Sequence, residues 1–229
     1  DLMYQELIGE RYQVREITVK EIAGVIQSFA EAAMRAKIAG FEAVEIHGAH
    51  GYLPGTFLSS YGNHRTDKYG GSLENRARVS LDIVRETRAL VGPNFPIIYR
   101  YNGSDFVQGG FEIEEAKELA LMLEDAGIDA HHVSGSIGES WEECEAPIYV
   151  PRGNLAHLAA AVKEVATLPV IAVGAIDVPM AADLVRDGKA DIVAIGRGFL
   201  SDTEIPNKAA KSEIRAIRPC IRCNESCLN

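Results

Sequence analysis

Residues 44–52 read VEIHGAHGY, an apolar strand-like run passing directly into His47, His50 and Tyr52. Three side chains with hydrogen-bonding rings are thereby gathered at the end of one strand, where α/β proteins keep their chemistry. One histidine alone is more often solvated or a satisfied core residue. Two with a tyrosine inside six residues point instead to proton donors set around a reacting group. A second constellation closes the chain, where Cys220, Cys223 and Cys227 stand in C-x2-C-x3-C spacing. Thiolates this close suit a soft metal centre, an iron–sulfur cluster or zinc. Cys144, in SWEECEAP, reads as an ordinary loop cysteine. Crowding three of four cysteines into the last ten residues does not suit a disulfide framework, and the expectation is a reduced, cytoplasmic setting.

The elements that must position these residues alternate. Short β-branched runs occur at 43–48, 96–101, 131–135, 169–174 and 191–197. Between them, residues 19–39 place Ile22, Val25, Ile26, Phe29, Ala32, Ala33 and Ala36 on one helical stripe, with Thr18 and Glu21 at capping-box spacing and Gly40 as the stop. Helices are also expected over 73–91, 112–126, 154–166, 179–187 and 203–216. Alternation of this kind means βαβ units and a parallel sheet, either open and doubly wound or closed as a (β/α)8 TIM barrel. The open form would bring a G-x-G-x-x-G turn after an early strand, and the sequence has none. The barrel puts a phosphate site after strands 7 and 8. The last two strands here end at Gly174 and at Gly196–Gly198, which are either simple turn glycines or a phosphate cradle. Their shared position favours the cradle, with Ser201 and Glu204 as caps for the helix beyond it. Five strands fall short of eight, so they are read as strands 4–8 of the α/β barrel, with three more expected upstream.

The 229 residues suit one domain with a sizeable core, or part of a larger one. A net charge of −10 without a basic cluster argues against a nucleic-acid footprint. No apolar run reaches the roughly 18 residues a membrane span needs. The opening DLMYQELIGE carries neither a basic nor an apolar signal region and does not begin with Met, so the natural N-terminus is expected elsewhere.

The segment GFEAVEIHGAHGYLPGTFLSSYGNHRTDKYGGSLENRAR closely resembles the flavin-dependent old yellow enzyme family over about forty residues without a gap, and more weakly to the C-terminus. The resemblance implies that His47 and His50 would hydrogen-bond the carbonyl oxygen of an unsaturated substrate, and that Tyr52 would protonate the neighbouring carbon. Two imidazole N–H groups at that oxygen act as an oxyanion hole. By the same likeness Arg100 matches the family's arginine at the flavin edge, although a strand-end arginine could also pair with Glu45. Gly174, Ala175, Gly196 and Arg197 match the family's FMN phosphate site, Ala175 through its backbone N–H alone and Arg197 through its charge. The loop 63–76 is a hallmark of the family and reads as structural, tied down by Arg65, Asp67, Glu74 and Arg76. The cysteine pattern resembles that of the iron–sulfur subgroup, which includes 2,4-dienoyl-CoA reductase, 2-enoate reductase and bile-acid-modifying NADH:flavin oxidoreductases. In that subgroup a fourth cysteine completes a [4Fe–4S] cluster, and a C-terminal module with FAD and NAD(P)H delivers electrons. Residues 1–217 would then be the C-terminal part of an FMN-binding barrel, and 218–229 the start of a truncated cluster segment. The loop GSIGESWEECEAP departs from dienoyl-CoA reductase by lacking its histidine. The activity implied is reduction of an activated C=C bond in an enoate, enone or enoyl-CoA, with that small unsaturated carbonyl compound as partner. Oligomeric state is left open. Alternatives are an amine dehydrogenase like trimethylamine dehydrogenase, against which His47 argues because a tyrosine stands there in that enzyme, and an inactive partial barrel.

Overall fold

The structure, a computed structural model, describes residues 15–228, and the DLMYQELIGE segment lies outside them. Helix α1 spans Val19–Ile38 and begins at the expected capping box, with the Glu21 N–H donating to Thr18 Oγ1 and the Thr18 N–H to the Glu21 carboxylate. Its buried stripe is Ile22, Ile26, Ala30 and Ala33. Ala30 takes the place expected for Ala32, which is exposed. After strand β1 (Val44–Gly48) come α2 (Leu53–Leu58) and α3 (Leu73–Val91), then β2 (Ile97–Asn102). Helix α4 (Ile113–Ala126) stops at Gly127, whose φ of 106° is a left-handed conformation that glycine adopts without steric penalty. Strand β3 (Ala130–Ser134), α5 (Trp141–Cys144), α6 (Ala156–Lys163), β4 (Val170–Ala172), α7 (Val178–Arg186) and β5 (Ile192–Val193) complete the alternation. The chain ends in α8 (Arg197–Ser201), α9 (Ile205–Ala210) and α10 (Glu225–Leu228).

All five strands are parallel and lie in the order β1-β2-β3-β4-β5. A doubly wound sheet reverses order at a switch point, and this one does not. The architecture is a partial (β/α)8 barrel, with α1, α3, α4 and α6 packing as successive neighbours along the outside.

Strand side chains alternate between two faces. Ile46, Ile97, Tyr99, Tyr101 and Val133 turn outward and join one apolar core with helix residues such as Ile83, Leu119 and Leu123. The inward face mixes Ile98, Ala130 and Ile171 with a group of polar residues. Register pairs His47 with Arg100, Arg100 with His132, and Asn102 with Ser134. The hydrophobic layer therefore fixes the sheet while its other side carries the chemistry.

Two expectations are corrected, and one helix was not foreseen. Helix α2 is unannounced by any long apolar period, being one short turn with Pro54 in its first positions. The helix expected over 203–216 divides into α9 and a 3-10 turn at Ile214–Ala216, because Ser212 turns left-handed with φ 59°. The cap is also different. Asp202, rather than Ser201 or Glu204, accepts the Glu204 N–H at 3.0 Å, the Lys208 ammonium at 2.6 Å and the Arg218 N–H at 2.8 Å. No helix among the described residues is long and apolar enough to cross a membrane.

Candidate active site

His47 occupies the last inward position of β1, and the chain then turns sharply. His50 has φ 59° and Gly51 φ 72°, two consecutive left-handed residues. A non-glycine residue held there costs on the order of 1 kcal/mol or more, so something must hold it. Asn102 at the end of β2 does so. Its Oδ1 accepts the His50 backbone N–H at 3.2 Å, while its Nδ2 donates to Asp105 at 2.8 Å and to the Ser136 carbonyl at 2.9 Å. The turn brings the His50 ring 5.1 Å from that of His47 and delivers Tyr52, at the N-terminus of α2, with its ring 5.3 Å from His47. The three rings singled out in the sequence do converge. Tyr52 is more than half exposed, so its ring stands open to an incoming molecule.

Burial first, then the positive charge of Arg100, lowers the pKa of His47. The same causes, with His47 and His132 added, push His50 down to about 3. Both imidazoles are therefore neutral near pH 7, each with one N–H. Burial pushes the Glu45 carboxyl up, but its 2.7 Å hydrogen bond with His132 and the nearby charges outweigh this and leave it below the ordinary range. Glu45 thus pairs with His132 and not with Arg100. Arg100 donates to Ser134 Oγ at 3.2 Å, its Nε is buried without a partner, and it makes no ion pair among the described residues. A cation without a direct ion-pair partner inside a barrel is expensive unless an anion or polar group is to meet it.

Cys144 is not an ordinary loop cysteine. Helix α5 carries its Sγ to 3.4 Å from His50 Nε2. Burial, then the charge of Glu145, raises its thiol above the usual value, so it stays protonated. Of the other aromatics near these loops, Phe106 packs against the core, while Trp141 and Tyr149 are exposed.

Beside Arg100 lies a cavity of about 570 Å³ lined by Gly174, Ala175, Gly196 and Arg197. Arg152, Arg215, Arg218 and Arg222 line it too, so six arginines face it against only Glu145 and Asp177. A Cβ on Gly174 would stand 2.9 Å from that of Leu155, so only glycine lets the backbone approach there. A Cβ on Gly196 would meet no protein atom within 4 Å and would project into open space. Arg197 reaches the cavity, but its Nη1 is engaged by the carbonyls of Glu145 at 3.0 Å and Ala146 at 3.1 Å and by the Asn224 side chain. The four further arginines were missed at the sequence level. Arg218 and Arg222 were signalled only by their interleaving with the cysteines in RPCIRC, Arg152 only by the PRG turn at 151–153, and Arg215 by nothing.

The three C-terminal thiols are free, with Cys220 half-buried and Cys223 and Cys227 exposed. The structure does not draw them together, and no three potential metal ligands cluster among the described residues. The segment is nevertheless fastened to the cavity wall. Arg152 donates to the Cys220 carbonyl at 2.9 Å, and Arg222 to the carbonyls of Val150 at 2.5 Å and Ile148 at 3.1 Å. In the loop 63–76, Arg65 pairs with Asp67 at 2.5 Å and Glu16 at 2.8 Å, and buried Arg76 pairs with Glu115. Glu74 makes no ion pair among the described residues; its carboxyl, lowered by a hydrogen bond from Ser72, serves the start of α3.

Residues 3–215 match the NADH:flavin oxidoreductase / NADH oxidase family. The chain belongs to that family. It is 46% identical over 217 residues to the NADH oxidase of Thermoanaerobacter brockii, covering 94% of this chain and 33% of the relative. Among solved structures, a 2-naphthoyl-CoA reductase complex superposes with a TM-score of 0.89 at 34% identity, covering 94% of this chain and 33% of that one. Histamine dehydrogenase from Rhizobium sp. 4-9 superposes with a TM-score of 0.85 at 32% identity, covering 94% and 31%. The chain therefore spans about a third of the length of the relatives it matches. Flavin oxidoreductase chemistry, on an FMN-binding barrel, is the family's common ground.

Proposed function

We propose that this chain is the substrate-facing and phosphate-holding part of an FMN-dependent reductase of activated C=C bonds, acting on an enoate, enone or enoyl thioester. The observation that carries the reading is the convergence of His47, His50 and Tyr52 beside the unpaired Arg100. The residues present suit FMN. An arginine-rich cavity fits a phosphate, the glycines at 174 and 196 leave room for close approach, and the orphaned Arg100 Nε fits an anionic ring edge.

Reduced FMN, if held there, would be the source of a hydride for the β-carbon of the substrate. The remaining steps fall to the chain. His47 and His50, both neutral, each offer an N–H to the carbonyl oxygen and stabilise the negative charge that grows on it. Tyr52 gives its proton to the α-carbon, so that one hydride and one proton complete the saturated product. Arg100, the register neighbour of His47, holds positive charge beside this site. Cys220, Cys223 and Cys227 are the right donors for three corners of a [4Fe–4S] cluster, with the fourth ligand and an FAD and NAD(P)H module contributed from outside residues 1–229.

The likeness to histamine dehydrogenase favours a second reading, oxidation of an amine. The rings argue against it, because two neutral imidazoles each offer an N–H suited to a carbonyl oxygen, an acceptor that a cationic amine does not present. The separating experiment uses full-length protein under anaerobic conditions. Reduced enzyme should be reoxidised by an enone, and oxidised enzyme should not be reduced by histamine or a tertiary amine. The opposite pattern removes the reductase reading. Tyr52→Phe should slow alkene turnover at least about tenfold while leaving reduction by NAD(P)H unchanged, and an equal effect on both rejects Tyr52 as the proton source.

A further inference from the structure

One face of the His50 ring is enclosed by protein. Its Nε2 lies 2.7 Å from Ser134 Oγ and 3.4 Å from Cys144 Sγ. Its Nδ1 makes no hydrogen bond among the described residues and is not among the buried unpaired atoms. A neutral imidazole has one donor and one acceptor nitrogen, so the partner at Nε2 decides what Nδ1 presents.

Ser134 is fully buried, at the end of β3. Its oxygen has a second neighbour, Arg100 Nη2 at 3.2 Å. A guanidinium only donates, so that contact uses a lone pair of Ser134 and leaves the serine proton to be placed elsewhere. Among the described residues the remaining acceptor for that proton is His50 Nε2. The Cys144 thiol faces the same nitrogen from farther away, at 3.4 Å, where its S–H could donate or its sulfur weakly accept, so the assignment rests on Ser134.

We infer that Ser134 is a positioning residue that, oriented by Arg100, holds His50 in the tautomer with hydrogen on Nδ1 and so turns its donor toward the substrate. The chain of bonds runs Arg100 N–H to Ser134 Oγ, Ser134 O–H to His50 Nε2, and His50 Nδ1–H outward. The other tautomer would present a bare lone pair to a carbonyl oxygen and would repel it. The part about substrate rests on the reading of His47 and His50 as a carbonyl clamp, but the tautomer itself does not.

The test is made on full-length flavin-loaded protein labelled with 15N-histidine, using long-range proton–nitrogen correlation at neutral pH, with His50 assigned by loss of its signals in His50→Asn. His50 Nε2 should resonate as the unprotonated nitrogen and Nδ1 as the protonated one. Protonated Nε2 in the unaltered protein overturns the inference outright, whatever the variants do. Ser134→Ala should mix or reverse the pattern, Ser134→Thr should restore it, and Cys144→Ala should leave it unchanged. An unchanged pattern in Ser134→Ala also refutes the role. Phenol, a mimic of the enolate, should bind Ser134→Ala about fivefold more weakly, the worth of one neutral hydrogen bond. If the tautomer follows Ser134 while phenol affinity does not move, the clamp reading fails and the tautomer assignment stands.

Discussion

Lowering the pH should destabilise this protein through one half-buried ring. His50 has its pKa pushed from 6.5 to about 3, chiefly by burial and then by Arg100, His47 and His132. The folded pKa lies below the unfolded one, so the unfolded chain binds the extra proton first. The contribution of the neutral ring is intact above about pH 6.5 and is lost as pH falls through the window toward 3. Each pH unit inside that window costs about 1.4 kcal/mol for one proton, so by pH 5 the loss attributable to His50 is about 2 kcal/mol. The comparison is urea unfolding of the protein and of His50→Asn at about pH 7.5 and pH 5. His47 and His131 have lowered pKa values too, but they are present in both proteins and drop out of the difference. The unaltered protein should lose about 2 kcal/mol more than the variant over that interval. Equal losses would mean that the His50 ring is not held neutral by its surroundings, and the electrostatic picture of the site would have to be abandoned.

Other perturbations test the scaffold. Arg76 is 5% exposed and divides its guanidinium among Glu115 and the carbonyls of Leu58 and Gly71, joining three segments; Arg76→Met should cost about 3–5 kcal/mol in urea unfolding, with little rescue by lysine. In Gly48→Ala the new Cβ would stand 2.6 Å from ring atoms of fully buried Tyr99, which predicts a loss of about 1–3 kcal/mol and displaced His47 and His50 resonances. In full-length protein, Cys223→Ser should lower iron content and the broad visible absorbance while flavin content is kept; unchanged iron would take Cys223 out of the ligand set.

What could be seen in the sequence was what is local. The capping box at Thr18, the stops at Gly40 and Gly127 and the ring trio within residues 47–52 each depend on neighbours a few positions apart, where residue type and spacing carry the geometry. The partners of those rings could not be seen. Ser134 lies 84 residues from His50, Cys144 lies 94 from it, and His132 lies 87 from Glu45. Only strand register brings them together, and register is set by the outward hydrophobic residues, which say nothing of their inward neighbours. The split of the last helix escaped for a different reason. A single left-handed residue, Ser212, breaks it, and Asp202 gathers Glu204, Lys208 and Arg218 around one carboxylate at its start; neither device leaves a periodic trace.

Charge shows the same division between bulk and local. A net charge of −10 argues against nucleic acid, yet it conceals a cavity where six arginines face two carboxylates. Such a concentration is costly to assemble unless an anion is to be held, since low-dielectric walls focus the field of grouped charges. The acidic exterior then has a consequence of its own. Anionic substrates and phosphates are repelled by most of the surface and attracted at one opening, so ionic strength should affect association of an enoate more than that of a neutral enone. Rates for the two substrates measured between low and physiological salt should diverge for this reason, the enoate slowing as salt screens the arginines while the enone does not change. Equal salt dependence would show that the arginines serve to hold the chain's own carbonyls, as Arg197 and Arg222 in part do, and that no anion is drawn in by them.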